Sequence, residues 1–307
     1  MRAPVVTRVR TVLGDVRPAE LGVCDAHDHL FLRSPRLPGQ ELDDVPAARA
    51  ELAAFRAAGG AAVVQWTPYG MGRRAAELPA LSRATGVRIV CATGLHQAVH
   101  YEPGLPARLR GGKLAGLFVS ELTEGIGTTG VRAGLIKVAG GFHGLDAHAR
   151  WTMAAAEAHH ATGAPIAVHL ELGTGALDVV DLLCGELGVP GERVILGHLN
   201  RSPDPVVHRQ AAASGCWLAF DGPSRAHHAT DWRMPEAVRA LAEAGFGDRL
   251  LLGGDTVTAG ARSVDGGPGM PHLLRRVRQR LAQEVGAELV ERVLTEHPGR
   301  AFGTRWT

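Results

Sequence analysis

The most specific chemical signal in this sequence is a pair of histidines, His27 and His29, within Asp25-Ala26-His27-Asp28-His29. In an extended strand alternate side chains point to the same side, so both imidazoles of an H-x-H pair face one point in space. Two rings placed in this way can share one metal ion. The motif alone is equally compatible with a histidine pair in a core or on a surface. The residues at the other strand ends must therefore decide between a metal site and an ordinary histidine pair.

Further polar side chains stand within or directly after short apolar runs. Lys137 lies in Leu135-Ile136-Lys137-Val138, His169 follows Ile166-Ala167-Val168, His198 follows Ile195-Leu196-Gly197, and Asp255 follows Leu251-Leu252-Gly253-Gly254. An unpaired ammonium inside an apolar strand carries a large desolvation cost. The simplest interpretation is that Lys137 extends to solvent at the end of its strand.

The elements that must position these side chains alternate between strand and helix patterns. Eight short apolar or β-branched runs are each followed by a stretch with helical spacing, and they span residues 21–27, 61–67, 87–93, 134–138, 166–170, 194–197, 217–220 and 250–254. The intervals are long enough for crossover helices, so the sequence predicts an α/β fold, a single-domain (β/α)₈ TIM barrel over residues 1–307. Because the carboxyl ends of the strands form the active face of such barrels, the polar side chains named above should converge at one mouth.

Such a convergence predicts a metal site. Four imidazoles and one carboxylate suit Zn²⁺ or a similar borderline divalent ion, and a cluster of this size can hold two ions. The count of 15 histidines in the chain agrees with metal binding or proton transfer, because histidine is the side chain that titrates near neutral pH. A binuclear site is therefore the working hypothesis.

Several helices and loops have recognisable boundaries. Residues 45–58 end at Gly59-Gly60, residues 146–162 end at Gly163, and residues 273–285 also have helical spacing. Residues 6–16 alternate in polarity and are expected to form a small hairpin that closes the bottom of the barrel. Residues 262–270 are expected to be a glycine-rich loop after the eighth strand.

Composition excludes several classes of partner. With 33 Lys and Arg against 31 Asp and Glu, the formal net charge of +2 gives no reason to expect nucleic-acid or membrane binding. The amino terminus lacks an apolar leader core, and no apolar run of about 18 residues occurs, so the protein is expected to be soluble and cytoplasmic. Since Cys24, Cys91, Cys184 and Cys216 contain no C-x-x-C pair, buried free thiols are expected rather than disulfides.

Five motifs follow one another along the chain: His27-x-His29, Ala133-Gly134-Leu135-Ile136-Lys137, Ala167-Val168-His169, Leu196-Gly197-His198-Leu199 and Gly254-Asp255. In content and in order these motifs resemble the phosphotriesterase family of the amidohydrolase superfamily. The opening Thr11-Val12-Leu13-Gly14 and Leu21-Gly22 and the closing Pro298-x-Arg300-Ala301-Phe302 are also similar. The resemblance therefore spans nearly the whole chain.

The resemblance implies a role for each polar side chain at the mouth. His27, His29 and Asp255 would hold one ion, His169 and His198 would hold the other, and Lys137 would bridge the two as an N-carboxylated lysine. The carbamate is anionic, which also removes the cost of a buried ammonium. A hydroxide that bridges two zinc ions, or Mn²⁺ or Co²⁺, would be the nucleophile, and one ion would polarise the scissile oxygen. Asp255 would be catalytic as the acceptor of the proton. Relatives also imply a homodimer.

The sequence departs from the family pattern after the sixth strand. Many members have an acidic residue two positions after the histidine of that strand, thought to relay protons from the metal aspartate. The corresponding residue here is Asn200, which cannot titrate. Asp204, His227 and His228 are possible replacements, and each is also compatible with an ordinary solvated loop residue. The route by which protons leave the site is open at this point.

Substrate selection is expected in the βα loops. Lactone-hydrolysing relatives place an arginine and a tyrosine there, so Tyr101, Arg225 and Arg262 are the predicted contacts to a small-molecule substrate. These polar loops favour a lactone or other carboxylic ester as the substrate. Hydrolysis of organophosphate triesters is the first alternative. The second is a catalytically weak barrel that binds a small molecule, which Asn200 would favour.

Overall fold

The computed structural model describes residues 7–105, 109, 113–145, 148–222 and 230–306. Within these residues, strands form a three-stranded and an eight-stranded sheet. In chain order the strands are β1 (Arg8–Thr11), β2 (Gly14–Val16), β3 (Cys24–Asp28), β4 (Ala62–Gln65), β5 (Arg88–Gly94), β6 (Leu135–Ala139), β7 (Ile166–His169), β8 (Val194–Gly197), β9 (Trp217–Asp221), β10 (Leu250–Gly253) and β11 (Gly303–Thr304).

The eight-stranded sheet is a nearly closed parallel barrel. Its strands follow one another in chain order from β3 to β10, and every ladder between them is parallel. At the seam between β10 and β3, the backbone nitrogens of Gly254 and Asp255 donate to the carbonyl of His27 at 3.0 and 2.9 Å. Each of the eight runs predicted from the sequence overlaps one of these strands, which confirms the predicted TIM barrel.

Helices occupy the connections between the strands. In the described part of the chain they are α1 (Val45–Ala57), α2 (Leu78–Thr85), α3 (Lys113–Thr123), α4 (Ala149–Thr162), α5 (Ala176–Val180), α6 (Pro205–Ala213), α7 (Met234–Glu243), α8 (Gly269–His272), α9 (Arg278–Val285) and α10 (Ala287–Phe302). The predicted helix over 45–58 corresponds to α1, whose first turn is capped by the Asp44 carboxylate accepting from Ala47 N at 2.7 Å. Among the described helices, none is long and apolar enough to cross a bilayer.

Two of the predicted helices begin differently in the structure. The one over 146–162 corresponds to α4, which ends at Gly163 with a left-handed φ of 73° as the stop signal requires, while residues 146 and 147 lie outside the described part. The one over 273–285 begins with a π-helical turn, Leu273–Val277, and continues as α9.

The amino-terminal hairpin closes the bottom of the barrel, as predicted. β1 pairs with β2 on one side and with β11 on the other, both antiparallel. Val9 of β1 and Phe302 of α10 are completely buried in one cluster with strand residues such as Val64 and Ile195. Burying an apolar side chain of this size contributes roughly 1.5–3 kcal/mol. The bottom of the barrel is thus a continuous apolar core.

The segment predicted as a glycine-rich loop after β10 is anchored to α1. Residues Ser263–Asp265 form a 3₁₀ turn, and α8 begins already at Gly269. The buried carboxylate of Glu51 accepts from Ser263 Oγ at 2.7 Å and from Met270 N at 2.8 Å. The loop is therefore held at both of its ends.

Candidate metal centre

The structure brings the six side chains predicted at the strand ends together at one mouth of the barrel. Five of them line a cavity of about 340 Å³: His27, His29, Lys137, His169 and Asp255. The sixth, His198, lies directly behind, with Nε2 2.7 Å from Nδ1 of His169. Every member is buried except His169, which is partly exposed. The convergence expected from the barrel topology is therefore present.

The side chains from β3 and from the end of β10 form one cluster. Nε2 of His27 lies 3.5 Å from Oδ1 of Asp255, and Nε2 of His29 lies 3.4 Å from the same oxygen. Ligand atoms of His27, His198 and Asp255 all lie within 4.8 Å of one another, which is the spacing of a candidate metal site. The ligand atoms of His27, His198 and Asp255 therefore surround one point.

Hydrogen bonds fix which nitrogen of His27 and of His29 is free. Nδ1 of His27 lies 2.9 Å from Oδ1 of Asp221, and a carboxylate only accepts, so Nδ1 carries the proton. Nδ1 of His29 lies 2.8 Å from Oγ1 of Thr67, whose own proton goes to the carbonyl of Phe31 at 2.5 Å. In both rings the Nε2 lone pair is therefore left for a metal.

His169, the last residue of β7, and His198, directly after β8, also lie beside carboxylates. Nε2 of His169 lies 3.2 Å from Oε2 of Glu171, which leaves Nδ1 of His169 facing His198. Asp221 also serves His198, since Oδ2 accepts from the His198 backbone nitrogen at 2.9 Å and lies 3.0 Å from Nδ1. That Nδ1 is buried and has no well-formed hydrogen bond among the described residues. Asp221 thus touches one histidine of each predicted ion site.

Burial controls the charges of this cluster. Desolvation lowers the pKa of His29 and of His198 to about 4, so both rings are neutral and able to bind a metal at pH 7. Burial also lowers the pKa of Lys137 to about 7, which leaves a large share of neutral amine. A neutral amine is the form that reacts with carbon dioxide. The donors therefore fit divalent ions, and the lysine fits carboxylation.

Two of the predicted ligands have strained backbones. His198 has φ of 65° and Asp255 has φ of 53°, the left-handed region that side chains other than glycine rarely adopt. Buried carboxylates hold the second of these segments. Asp25 Oδ1 accepts from Gly254 N at 3.1 Å, and Asp28 Oδ1 accepts from Thr256 N at 3.0 Å.

Asp25 and Asp28 also hold the backbone of the two histidines, because Asp25 Oδ1 accepts from His27 N at 3.2 Å and Asp28 Oδ1 accepts from His29 N at 2.7 Å. A Cβ atom on Gly254 would lie 2.3 Å from Asp28 Oδ2, so only glycine fits at this seam. Burial raises the pKa of Asp25 well above its usual value. The sequence contained a sign of this supporting role, because two acidic residues lie inside a strand that is buried throughout.

Two side chains that the sequence analysis did not single out reach the predicted ligands. Arg201 Nη2 donates to Oδ2 of Asp255 at 2.5 Å, and His96 Nδ1 lies 3.0 Å from Nζ of Lys137. Both line the cavity. Arg201 leaves Oδ1 as the carboxylate oxygen of Asp255 that faces His27 and His29.

Asn200 has a structural role in place of the expected acidic residue. Its Nδ2 donates to the carbonyl of Asp221 at 2.7 Å and to Oδ1 of Asp231 at 2.9 Å, and its Oδ1 accepts from Asp221 N at 3.0 Å. Asn200 thus holds the segment that orients His27. Asp204 caps α6 by accepting from Val206 N at 2.8 Å. The other two suggested replacements, His227 and His228, lie outside the described residues.

The residues predicted to contact the substrate lie farther from the predicted metal ligands or outside the described residues. The Tyr101 hydroxyl accepts from His96 N at 2.7 Å, and its ring lines a neighbouring cavity of about 430 Å³ that shares Ser34 and His100 with the metal cavity. Arg262 is buried and donates to the carbonyl of Leu30 at 2.7 Å. Neither is among the described residues that line the metal cavity. Arg225 lies outside the described residues.

Comparisons with known proteins give matches over most of the chain. The sequence profile of the phosphotriesterase family matches residues 7–302. A phospho-furanose lactonase from Mycoplasmopsis agalactiae is 31% identical over 243 residues, covering 73% of this chain and 69% of the relative. An N-acetyltaurine hydrolase from Rattus norvegicus is 27% identical over 337 residues, covering 95% and 96%. The crystal structure of a lactonase from Listeria monocytogenes superposes with a TM-score of 0.89 at 28% identity, covering 96% of this chain and 98% of that one.

Proposed function

The chain belongs to the phosphotriesterase family and is a hydrolase, and from that premise we propose that it hydrolyses a lactone or another carboxylic ester with two divalent metal ions. One observation supports this most strongly. Three of the four histidines at the mouth have one ring nitrogen engaged by a carboxylate or hydroxyl, and their free nitrogens face the other donors of the cluster. Metal-ligating histidines almost always have their second ring nitrogen engaged in this way.

The donor set divides into two groups. Nε2 of His27, Nε2 of His29 and Oδ1 of Asp255 would hold one ion, since these atoms lie within 3.5 Å of the carboxylate oxygen. Nδ1 of His169 and Nε2 of His198 would hold the other. Lys137, carboxylated on Nζ, would bridge the two. Neutral imidazoles with carboxylates favour zinc, with Mn²⁺ and Co²⁺ as alternatives.

The residues around the donors have separate tasks in ester hydrolysis. Divalent ions bound by these donors would lower the pKa of a bound water, which would supply hydroxide at neutral pH, and would polarise the ester carbonyl. The Asp255 carboxylate would receive the proton of the attacking water. Arg201 keeps Oδ2 of Asp255 fixed at 2.5 Å, so the carboxylate cannot rotate away from this position. Asp221 and Glu171 fix the tautomers of the His27 and His169 imidazoles, respectively.

The cavity lining favours a polar ester over a phosphotriester. Gln97, His100, Ser34 and Arg36 line the same cavity as the predicted ligands, so part of its wall is polar. The names of two relatives, a phospho-furanose lactonase and a lactonase, support the same substrate class. Phosphotriester hydrolysis remains the alternative, because the same metal pair can polarise a phosphoryl oxygen.

The decisive experiment is metal analysis of protein purified without chelator, followed by a substrate panel on the same sample. The panel contains lactones, carboxylic esters and phosphotriesters, with N-acyl amides added because one relative hydrolyses N-acetyltaurine. We expect about two ions per chain and preferential lactone turnover. Fewer than about one ion per chain, with no activity restored by zinc, manganese or cobalt plus bicarbonate, would contradict the proposal and favour a small-molecule-binding barrel.

A further inference from the structure

Two of the four cysteines lie side by side at the opposite end of β9 from Asp221. Cys184 lies in a π-helical segment, Asp181–Glu186, and Cys216 directly precedes β9. Their Sγ atoms are 3.9 Å apart, although 32 residues separate them in the chain. All four cysteines are free thiols, and Cys24 and Cys91 are buried within β3 and β5. The neighbouring pair is therefore a specific feature of the contact between the helix layer and β9.

The two thiols of this pair differ in access and in acidity. Cys184 is half-buried, so small solutes can reach it, whereas Cys216 is completely buried and lies 3.2 Å from Ser214 Oγ. The hydrogen bond with Cys216 lowers the pKa of the Cys184 thiol, and the same bond together with burial raises the pKa of Cys216. Because the thiolate is the reactive form, Cys184 is the sulfur that reacts first.

We propose that Cys184 and Cys216 form a reversible disulfide when the protein meets hydrogen peroxide. The Cys184 thiolate attacks one oxygen of the peroxide, the O–O bond breaks, and hydroxide leaves, so Cys184 becomes a sulfenic acid. Cys216 passes its proton to that hydroxide, and its sulfur then attacks Sγ of Cys184. The S–O bond breaks, and the departing hydroxide takes up the proton that the Cys184 thiol released at the start, so a second water forms. Two thiols are thus oxidised to one disulfide while one peroxide is reduced to two waters.

The local structure allows this closure. A disulfide requires the two Sγ atoms to approach to about 2.05 Å, so the present 3.9 Å must shrink by less than 2 Å, shared between two side chains. The π-helical turn that carries Cys184 has a less regular hydrogen-bond ladder than an α-helix, and it lies at the surface of the barrel. The bond would tie this turn to the start of β9 and restrict the unfolded chain.

The test oxidises the full-length protein, first reduced and freed of reductant, with a small excess of hydrogen peroxide. Titration of thiols in denaturant should fall from four per chain to two, and dithiothreitol should restore all of them. A tryptic digest without reductant should contain peptide 151–193 linked to peptide 210–225. The melting temperature of the oxidised protein should exceed that of the reduced protein, because a cross-link lowers the entropy of the unfolded chain.

Matched variants separate this pair from general thiol oxidation. Cys91→Ser should still lose two thiols, whereas Cys216→Ser should form no internal disulfide and should accumulate a sulfenic acid at Cys184 that dimedone labels. Cys184→Ser should resist the same dose of peroxide. Retention of all four thiols in the parent protein, direct conversion of Cys184 to sulfinic acid, or a link that involves Cys24 or Cys91 would each overturn the proposal.

Discussion

The two halves of the barrel mouth are built differently. The closed half consists of His27 and His29 of β3 with Asp255 after β10, all at most 6% exposed. The open half consists of Lys137 of β6, which is 3% exposed, and His169 of β7, whose side chain is 16% exposed beside a partner, Glu171, that is 36% exposed. His198 stands between them and touches both Asp221 and His169.

The difference lies in what already holds each half in place. In the closed half, Asp221, Thr67 and Arg201 fix the three donors, and buried carboxylates clamp the backbone beside Asp255. In the open half, Lys137 would first have to react with carbon dioxide to serve as the proposed anionic ligand. We infer that the closed half binds its proposed ion more tightly, because preorganised ligands lose less conformational entropy on binding.

The largest effect should follow from Asp255→Asn in the closed half. An amide cannot accept the proton of the attacking water, so kcat/KM for the best lactone should fall by about 10³-fold or more. Circular dichroism and the melting temperature should show that the barrel remains folded. A small-molecule-binding barrel would instead keep its ligand affinity in this variant, and activity within tenfold of the parent protein would remove Asp255 from the reaction.

Next in size should be Lys137→Ala, which tests the open half directly. Without the bridging side chain the ion of the open half should be lost first, so metal content should fall to about one ion per chain or less, with activity falling in parallel. The melting temperature should drop as well, because metal binding contributes to the stability of the folded state. Unchanged metal content in dialysed protein would contradict the proposed bridge.

Asp221→Asn should affect both halves at once. One carboxylate oxygen holds Nδ1 of His27 and the other lies beside His198, so an amide presents the wrong group to one of the rings. Loss of such a carboxylate partner typically lowers metal affinity by about 10–100-fold. Titration with a chelator should show both ions weakened. Asp204→Asn is the matched control, since that carboxylate caps α6 and should leave both affinities unchanged.

The same comparison explains how far the sequence could predict the site. His27, His169 and Asp255 were predictable because each is a polar residue at the end of an apolar run, and parallel strands bring such ends together. Asp221 follows the same rule, as it comes directly after the run over 217–220. Thr67 carried no such signal, because threonine is common in strands for its shape alone.

Loop residues were harder to place than strand ends. Tyr101 and Arg262 were predicted as substrate contacts, yet their polar groups bind the backbone of His96 and of Leu30. Such hydrogen bonds depend on how distant loops pack, and no local periodicity encodes them. Arg201 was overlooked for the same reason, since its contact to Asp255 joins two loops 54 residues apart in the chain.

The smallest effect should come from Glu171→Gln, which probes the more exposed half. Glutamine is nearly isosteric and can still accept through its carbonyl oxygen, so His169 keeps a weaker partner and its Nδ1 stays oriented. The carboxylate of Glu171 is about one third exposed, so solvent already screens its charge. We therefore expect only the more weakly bound ion to lose affinity, by roughly tenfold, at the low end of the range for such partners. Chelator titration of Glu171→Gln and Asp221→Asn in parallel compares how much affinity each variant loses at each ion. An equal loss at both ions in Glu171→Gln would mean that the two halves do not differ in the way their structures indicate.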